Sequence, residues 1–133
     1  MTTIESPLRV RPDRLLRFAM RLDAVLVGIA GIPFAAVAAW LAALTGVPPA
    51  VQFGLGVCFL AYGVVVYWLA GLDRIRPGAI ATITANALYT VGSVGLAEAG
   101  VWPLTGWGYV LVLGGAAYTA VIGSVQFIGL RRM

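Results

Sequence analysis

Histidine and lysine are absent from this sequence of 133 residues, and cysteine occurs once, as Cys58 within an apolar run. The lack of histidine removes the commonest proton shuttle and the most frequent metal ligand. One cysteine can form neither an internal disulfide nor a thiolate metal cluster. The sequence also offers no Gly-rich phosphate loop with lysine, no Ser-His-Asp set and no pair of carboxylates on one helix face. We therefore expect a protein that is not an enzyme and has no metal site and no cofactor.

Charged residues are scarce as well, at 11% of the chain, while 61% of the residues are hydrophobic. Soluble globular proteins have about a quarter of their residues charged. No Asp, Glu, Lys or Arg occurs in residues 24–72, 77–97 or 99–130. The net charge is +4, but a nucleic-acid-binding surface needs a basic face on a folded aqueous domain, and this sequence contains no such domain. We therefore expect no nucleic-acid partner. These intervals are typical of membrane-embedded segments.

The lengths of the charge-free intervals predict the number of spans. A bilayer core of about 30 Å needs about 20 apolar residues in a helix, and the prolines at Pro48 and Pro49 divide the first interval because a helix cannot continue through them. The prediction is an all-α, four-transmembrane-helix bundle in a single domain, 1–133, with spans near 22–44, 50–71, 79–98 and 106–130. Pro33 should kink the first span.

The arginines predict the orientation of the bundle. They precede the first span, separate the second from the third and end the chain, whereas the opposite loops contain none. The positive-inside rule then places both termini in the cytoplasm, and the exclusive use of arginine favours a bacterial cytoplasmic (inner) membrane. The basic N-terminal segment, 1–21, is expected to lie among lipid headgroups. The arginines assigned to headgroups or topology are Arg14, Arg17, Arg21, Arg74, Arg76, Arg131 and Arg132.

Short similarities between the two halves suggest two duplicated helical hairpins. Gly71-Leu72-Asp73-Arg74 resembles Gly129-Leu130-Arg131-Arg132, and Asp23-Ala24 resembles Asn86-Ala87. Two such hairpins would be related by an axis along the membrane normal. Chance similarity in an apolar sequence of low complexity explains the matches equally well, so the duplication stays open at this point.

Small residues are expected to hold the helices together, because association in lipid depends on close packing rather than on hydrophobicity. The candidates for helix packing are Ala35, Ala39, Ala43, Gly56, Gly63, Gly92, Gly95, Ala116 and Ala120. Packing within one chain is the favoured interpretation, and a homo-oligomer is the alternative.

Strongly polar residues within a span are functional candidates. Asp23 lies close to the cytoplasmic boundary, so we expect it to be ionised and to pair with Arg74, Arg76 or Arg131. Asn86 lies deeper, and a hydrogen bond to Gln126, joined by Tyr89, is expected to stabilise the bundle. Gln52 and Glu98 should lie at the outer surface, where water solvates them.

Several of these features resemble those of small, uncharacterised four-helix bacterial inner-membrane proteins: Arg21-Leu22-Asp23-Ala24, Asn86-Ala87-Leu88, and an ending that contains Gln126 and Gly129-Leu130-Arg131-Arg132. This resemblance implies no known activity. In size and helix number the chain is also similar to small multidrug-resistance transporters, which use a membrane-embedded Glu in the first helix. The first span here contains only Asp23 at a comparable place.

The sequence therefore leads to a ranked set of functional hypotheses. The first is a non-enzymatic accessory, interaction or lipid-binding protein whose partners are membrane lipids, further copies of itself or another membrane protein. The alternative is a small oligomeric transporter of lipophilic compounds, for which Asp23 would be the proton-coupling carboxylate. A membrane enzyme ranks last.

Overall fold

The computed structural model describes residues 12–133 and is all-α in this range. Its helices are α1 (Arg14–Ala36), α2 (Ala38–Thr45), α3 (Pro49–Leu69), α4 (Ile75–Ala99) and α5 (Gly106–Arg131). Expectations that concern residues 1–11, the first part of the basic N-terminal segment, lie outside the described residues.

Local sequence signals explain most of the helix ends. Pro49 occupies the first turn of α3, where its missing N–H has no helical partner to lose. Gly46 and Gly100 end α2 and α4 with φ of 84° and 65°, a left-handed conformation that favours glycine. At the start of α5, the Thr105 hydroxyl accepts a hydrogen bond of 3.1 Å from the Gly108 backbone N–H.

The long helices lie antiparallel, and glycines mark where their backbones approach. A Cβ added at Gly63 would lie 2.7 Å from the carbonyl oxygen of Ala24, and one at Gly31 would lie 2.6 Å from that of Gly56. The two helices α1 and α3 therefore run in opposite directions. The backbone of Leu16, at the start of α1, lies close to Gly129 near the end of α5. The start of α1, the α3–α4 connection and the end of α5 consequently share one end of the bundle.

That shared end carries all the arginines of the described range and is called the arginine end below. Arg17 belongs to its structure rather than to the lipid headgroups. Its guanidinium lies 2.7 Å from the Asp13 carboxylate and donates to the carbonyl oxygens of Ala70 and Leu72 at 2.8 and 2.7 Å. These bonds satisfy carbonyl groups that the end of α3 leaves unpaired. The expectation of a headgroup segment through residue 21 was wrong for Arg17 because α1 begins at Arg14 and packs into the bundle from its first turn.

The segment predicted as the first span, 22–44, contains a bend of 92° between α1 and α2. The bend occurs at Val37, with φ of −122° and ψ of 40°, and not at Pro33, which lies inside α1. Contacts at the end of α2 hold it in this direction: Thr105 donates from its backbone N–H to the Thr45 carbonyl at 3.0 Å and from its hydroxyl to the Leu44 carbonyl at 2.6 Å. α2 thus lies across the end of the bundle opposite the arginines.

Length and composition make three helices, α3, α4 and α5, candidates to cross a membrane, and the bent pair of α1 and α2 would be a fourth if it forms one span. Much of the outer surface is apolar, as shown by Val64, Val91 and Leu88, which are 72%, 71% and 67% exposed. An apolar surface of this kind is costly in water and suits lipid. The fold is that of a helical membrane protein.

The small residues expected at helix contacts divide into two groups. Gly56, Gly63 and Ala116 are buried, and Ala35 lies against Gly56. The residues expected at contacts but found exposed are Ala39, Ala43, Gly92, Gly95 and Ala120. Ala39 and Ala43 leave the α1–α3 contact because α2 turns away, and a Cβ at Gly92 or Gly95 would meet no atom within 4 Å. The structure uses Gly31 and Gly129 instead.

The chain forms two hairpins, α1 with α3 and α4 with α5, but α2 interrupts the first and has no counterpart in the second. The internal duplication therefore stays a prediction.

Candidate functional site

Asp23 is fully buried, and its carboxylate accepts hydrogen bonds from four side chains. The Tyr62 hydroxyl donates to Oδ2 at 2.6 Å and the Tyr118 hydroxyl to Oδ1 at 2.7 Å. The amide nitrogens of Asn86 and Gln126 donate to Oδ2, each at 3.1 Å. We call these five residues the Asp23 network; it joins α1, α3, α4 and α5 in one layer.

Glycines allow the helices to come close enough for these bonds. Gly63, next to Tyr62, lies against the backbone of Ala24 and Gly28, which brings α3 up to α1 beside Asp23. On α5, a Cβ at Gly123 would lie 3.2 Å from the Cβ of Asn86. The two amide side chains can therefore reach the carboxylate at hydrogen-bonding distance from different helices.

The partners of Asp23 are neutral, whereas the sequence led us to expect an arginine. Within residues 12–133, no arginine pairs with Asp23, and Arg17 forms its ion pair with Asp13. Burial of an ion costs several kcal/mol, and a hydrogen bond to a charged group returns about 1.5–3 kcal/mol. The combined free energy of four such bonds is therefore large enough to offset the cost of burying the charge. Asp23 is thus held inside the bundle by hydrogen bonds from neutral side chains, in place of the expected ion pair with arginine.

The Asn86–Gln126 hydrogen bond expected from the sequence is present, with Asn86 Nδ2 donating to Gln126 Oε1 at 3.0 Å. Tyr89 does not join this pair in the way expected; its ring packs against Phe59, with ring centroids 5.9 Å apart. The sequence interpretation missed Tyr62 and Tyr118, although a tyrosine in the middle of an apolar span was a signal that its hydroxyl needs a buried partner.

A cavity of about 980 Å³ lies above the Asp23 network, on the side away from the arginine end. Tyr62, Asn86 and Tyr118 line its floor. Its walls are mostly apolar and include the aromatic residues Phe34, Phe59, Tyr89 and Trp102. Below the network, toward the arginine end, buried hydrophobic residues form a cluster: Leu16, Met20, Ala24, Val66, Ala70, Ile75, Ala79 and Leu130. The bundle is therefore packed on one side of Asp23 and hollow on the other.

The remaining polar candidates lie away from the network. Glu98 is exposed at the end of α4, as expected. Gln52, expected in water, is fully buried, and its amide has no hydrogen-bond partner within the described part of the chain. Gln52 lies in the first turn of α3. Gly56, one turn later, is on the same face of the helix, and this face packs on α1. Among residues 12–133, no three of His, Cys, Asp and Glu lie close enough together to hold a metal ion.

Searches of protein-family models, curated proteins and solved structures found no match to this chain. The resemblance to small four-helix bacterial inner-membrane proteins therefore stays a prediction, and function has to be argued from the geometry of the site.

The network predicts a specific pattern of stabilities. Asn86→Leu and Gln126→Leu should each lower the free energy of unfolding by about 1–3 kcal/mol, since each removes a donor from a buried carboxylate. The double variant should be less stable than either single variant. Adding Asp23→Leu should restore part of the loss, because the group that needs the donors is then gone. Reversible unfolding in mixed micelles measures these differences.

Ser124→Leu is the matched control for these variants, because Ser124 is exposed on α5 and bonds only within its own helix, to the Ala120 carbonyl. It should change stability by less than about 0.5 kcal/mol. A double variant no less stable than Ser124→Leu would show that the amides do not serve the carboxylate.

Proposed function

We propose that this protein binds a lipophilic molecule within the membrane, as a non-enzymatic binding protein. The observation that carries the proposal is the apolar cavity of about 980 Å³ with a polar floor on the Asp23 network. Small-molecule sites in proteins are typically concave, mostly apolar and about 300–1,000 Å³ in volume, with a few polar groups that fix the ligand's orientation. The cavity has these properties.

The packing of the bundle supports a binding site rather than a defect in packing. Interiors are close-packed, and empty space lined by apolar groups forfeits dispersion contacts. Here glycines stand at the cavity wall where larger residues would fill it: a Cβ at Gly92 or Gly114 would meet no atom within 4 Å. Larger side chains at these two positions of the cavity lining would therefore meet no clash.

A second candidate function is transport of lipophilic compounds by a small oligomer. It is favoured because the bundle is packed toward the arginine end and has its cavity on the other side of the Asp23 network. A carrier exposes its site to one side of the membrane at a time. Uptake of a bound compound into sealed proteoliposomes would distinguish a carrier from a binding protein. Association with another copy or another membrane protein remains part of the proposal, through exposed small residues such as Gly95 and Ala120.

We propose further that the protein lies in a bacterial inner membrane with the arginine end in the cytoplasm. The grouping of the arginines at one end of the antiparallel helices supports this orientation. The cavity would then lie in the outer half of the bilayer, with α2 near the outer surface.

Filling the cavity tests the binding function. The double variant Gly92→Leu/Gly114→Leu should fold, because both positions face open space, and should lose saturable binding of radiolabelled dodecanol or dodecylammonium in phosphatidylcholine nanodiscs. The control is Gly54→Leu/Gly95→Leu, two glycines that also face open space but do not line the cavity. Binding that persists unchanged in the filled variant, or that is absent from the wild type, would overturn the proposal.

Cysteine labelling tests the orientation. In a Cys58→Ala background, Val101→Cys should react with an impermeant maleimide in intact cells, whereas Asp73→Cys should react only after permeabilisation. Both positions are exposed, at opposite ends of the bundle. Labelling of Asp73→Cys alone in intact cells would reverse the assignment.

A further inference from the structure

Three polar side chains at the cavity floor, those of Tyr62, Tyr118 and Asn86, have already used their hydrogens. The Tyr62 and Tyr118 hydroxyls donate to Asp23 at 2.6 and 2.7 Å. Asn86 has two amide hydrogens and two acceptors, the Asp23 carboxylate at 3.1 Å and the Gln126 carbonyl at 3.0 Å. What these side chains can still offer to a molecule in the cavity is oxygen lone pairs.

Thr119, the next residue along α5 after Tyr118, extends the same pattern. Its hydroxyl lies 3.1 Å from the carbonyl oxygens of Gly115 and Ala116, which can only accept. It also lies 2.6 Å from the Thr90 hydroxyl, whose other contacts are the Asn86 carbonyl oxygen at 2.9 Å and that of Ala116 at 3.4 Å. The two hydroxyl hydrogens can bond to three carbonyl oxygens or to the neighbouring hydroxyl oxygen. Neither hydrogen is therefore left to donate to a ligand.

The charge of Asp23 lies directly behind these oxygens. The carboxylate is fully buried, its partners are neutral, and the two phenols that bind it also line the cavity. Hydrogen bonds in a medium of low dielectric polarise one another, so phenols that donate to a carboxylate become better acceptors. A cation in the cavity would gain both from these oxygens and from the attraction of a charge that water does not screen.

The cavity wall suits the same ligand. Phe34, Phe59 and Tyr89 form a continuous aromatic surface, with ring centroids 5.2 Å apart for the first pair and 5.9 Å for the second. Ring faces attract cations and pack against apolar groups. A molecule that has a cationic end and an apolar body would match the floor with one part and the walls with the other.

We propose that the ligand is a protonated amine carrying an apolar body, with its N–H groups on the Tyr62 and Tyr118 oxygens and its charge next to Asp23. This inference rests on the proposed binding function and specifies the class of ligand. A site of this kind should bind protonated amines more tightly than quaternary ammonium ions, which carry the charge without a donor. It should also bind them more tightly than alcohols, which carry a donor without the charge.

Three probes with the same chain isolate these two properties: dodecylammonium, dodecyltrimethylammonium and dodecanol. Equilibrium binding to the full-length protein in phosphatidylcholine nanodiscs at neutral pH is measured for each, and the Gly92→Leu/Gly114→Leu variant gives the background from lipid. Dodecylammonium should bind at least about tenfold more tightly than either other probe, the size of effect that a hydrogen bond to a charged group produces.

Equal affinities for the three probes would overturn the inference and leave the binding function standing. Tighter binding of the quaternary ion would also overturn it, because the floor would then recognise charge alone. Absence of saturable binding by every probe would overturn both the inference and the binding function.

Variants test whether the named residues set the preference. In Asp23→Asn, the preference for dodecylammonium over dodecanol should fall by at least about tenfold, while dodecanol binding reports that the cavity is still formed. Tyr118→Phe should reduce the preference of dodecylammonium over dodecyltrimethylammonium, and it provides a second test if Asp23→Asn does not fold. Tyr109→Phe, at an exposed tyrosine of α5 outside the cavity lining, is the control and should change neither ratio. Unchanged ratios in both Asp23→Asn and Tyr118→Phe would contradict the assignment.

Discussion

The burial of one carboxylate constrains the whole bundle. A charge removed from water must receive hydrogen bonds or be neutralised, because the penalty of several kcal/mol per ion is too large to leave unmet. Asp23 on α1 receives donors from α3, α4 and α5. Each donor requires its helix to lie at a particular height and rotation, so the network fixes the relative positions of all four long helices.

The same layer separates two regions of different character. Toward the arginine end, aliphatic side chains form a buried cluster, and the Arg17 guanidinium donates to the carbonyl oxygens of Ala70 and Leu72 just after α3. Away from it, the helices border an open apolar cavity whose floor is formed by groups that are already bonded to Asp23. A charged residue that served only to hold helices together would not need open space beside it. The combination of a buried charge, a lone-pair floor and an aromatic wall is what supports a binding role.

The broad architecture could be predicted from the sequence because it depends on local composition. Charge-free intervals indicated the long helices, and the proline pair marked the α2–α3 connection. The bend at Val37 could not be predicted, since no helix-breaking residue stands there and the direction of α2 depends on hydrogen bonds to Thr105, 60 or more positions further along the chain. The inward-facing small residues were also hard to identify, because nearly every face of these helices is apolar and hydrophobicity does not distinguish lipid from protein.

The site was only partly predictable for a related reason. Asn86 and Gln126 stood out as deep amides, and their mutual hydrogen bond is present. The partners of Asp23 were predicted wrongly because the neighbouring arginines suggested an ion pair, whereas α1 begins at Arg14 and carries Asp23 more than two turns into the bundle. Its partners Tyr62 and Tyr118 are 39 and 95 positions away in sequence, and only the folded arrangement of helices brings them together.

Asp23 is a buried carboxylate held by four donors from the other three long helices. The four donors are two phenol hydroxyls and two amide nitrogens, three at Oδ2 and one at Oδ1, and a carboxylate can accept from all of them. Infrared difference spectroscopy of the wild type against Asp23→Asn, both in lipid at neutral pH, measures this directly. We expect the substitution to remove the stretching bands of an ionised carboxylate. Loss of the carbonyl band of a protonated carboxyl group would contradict it.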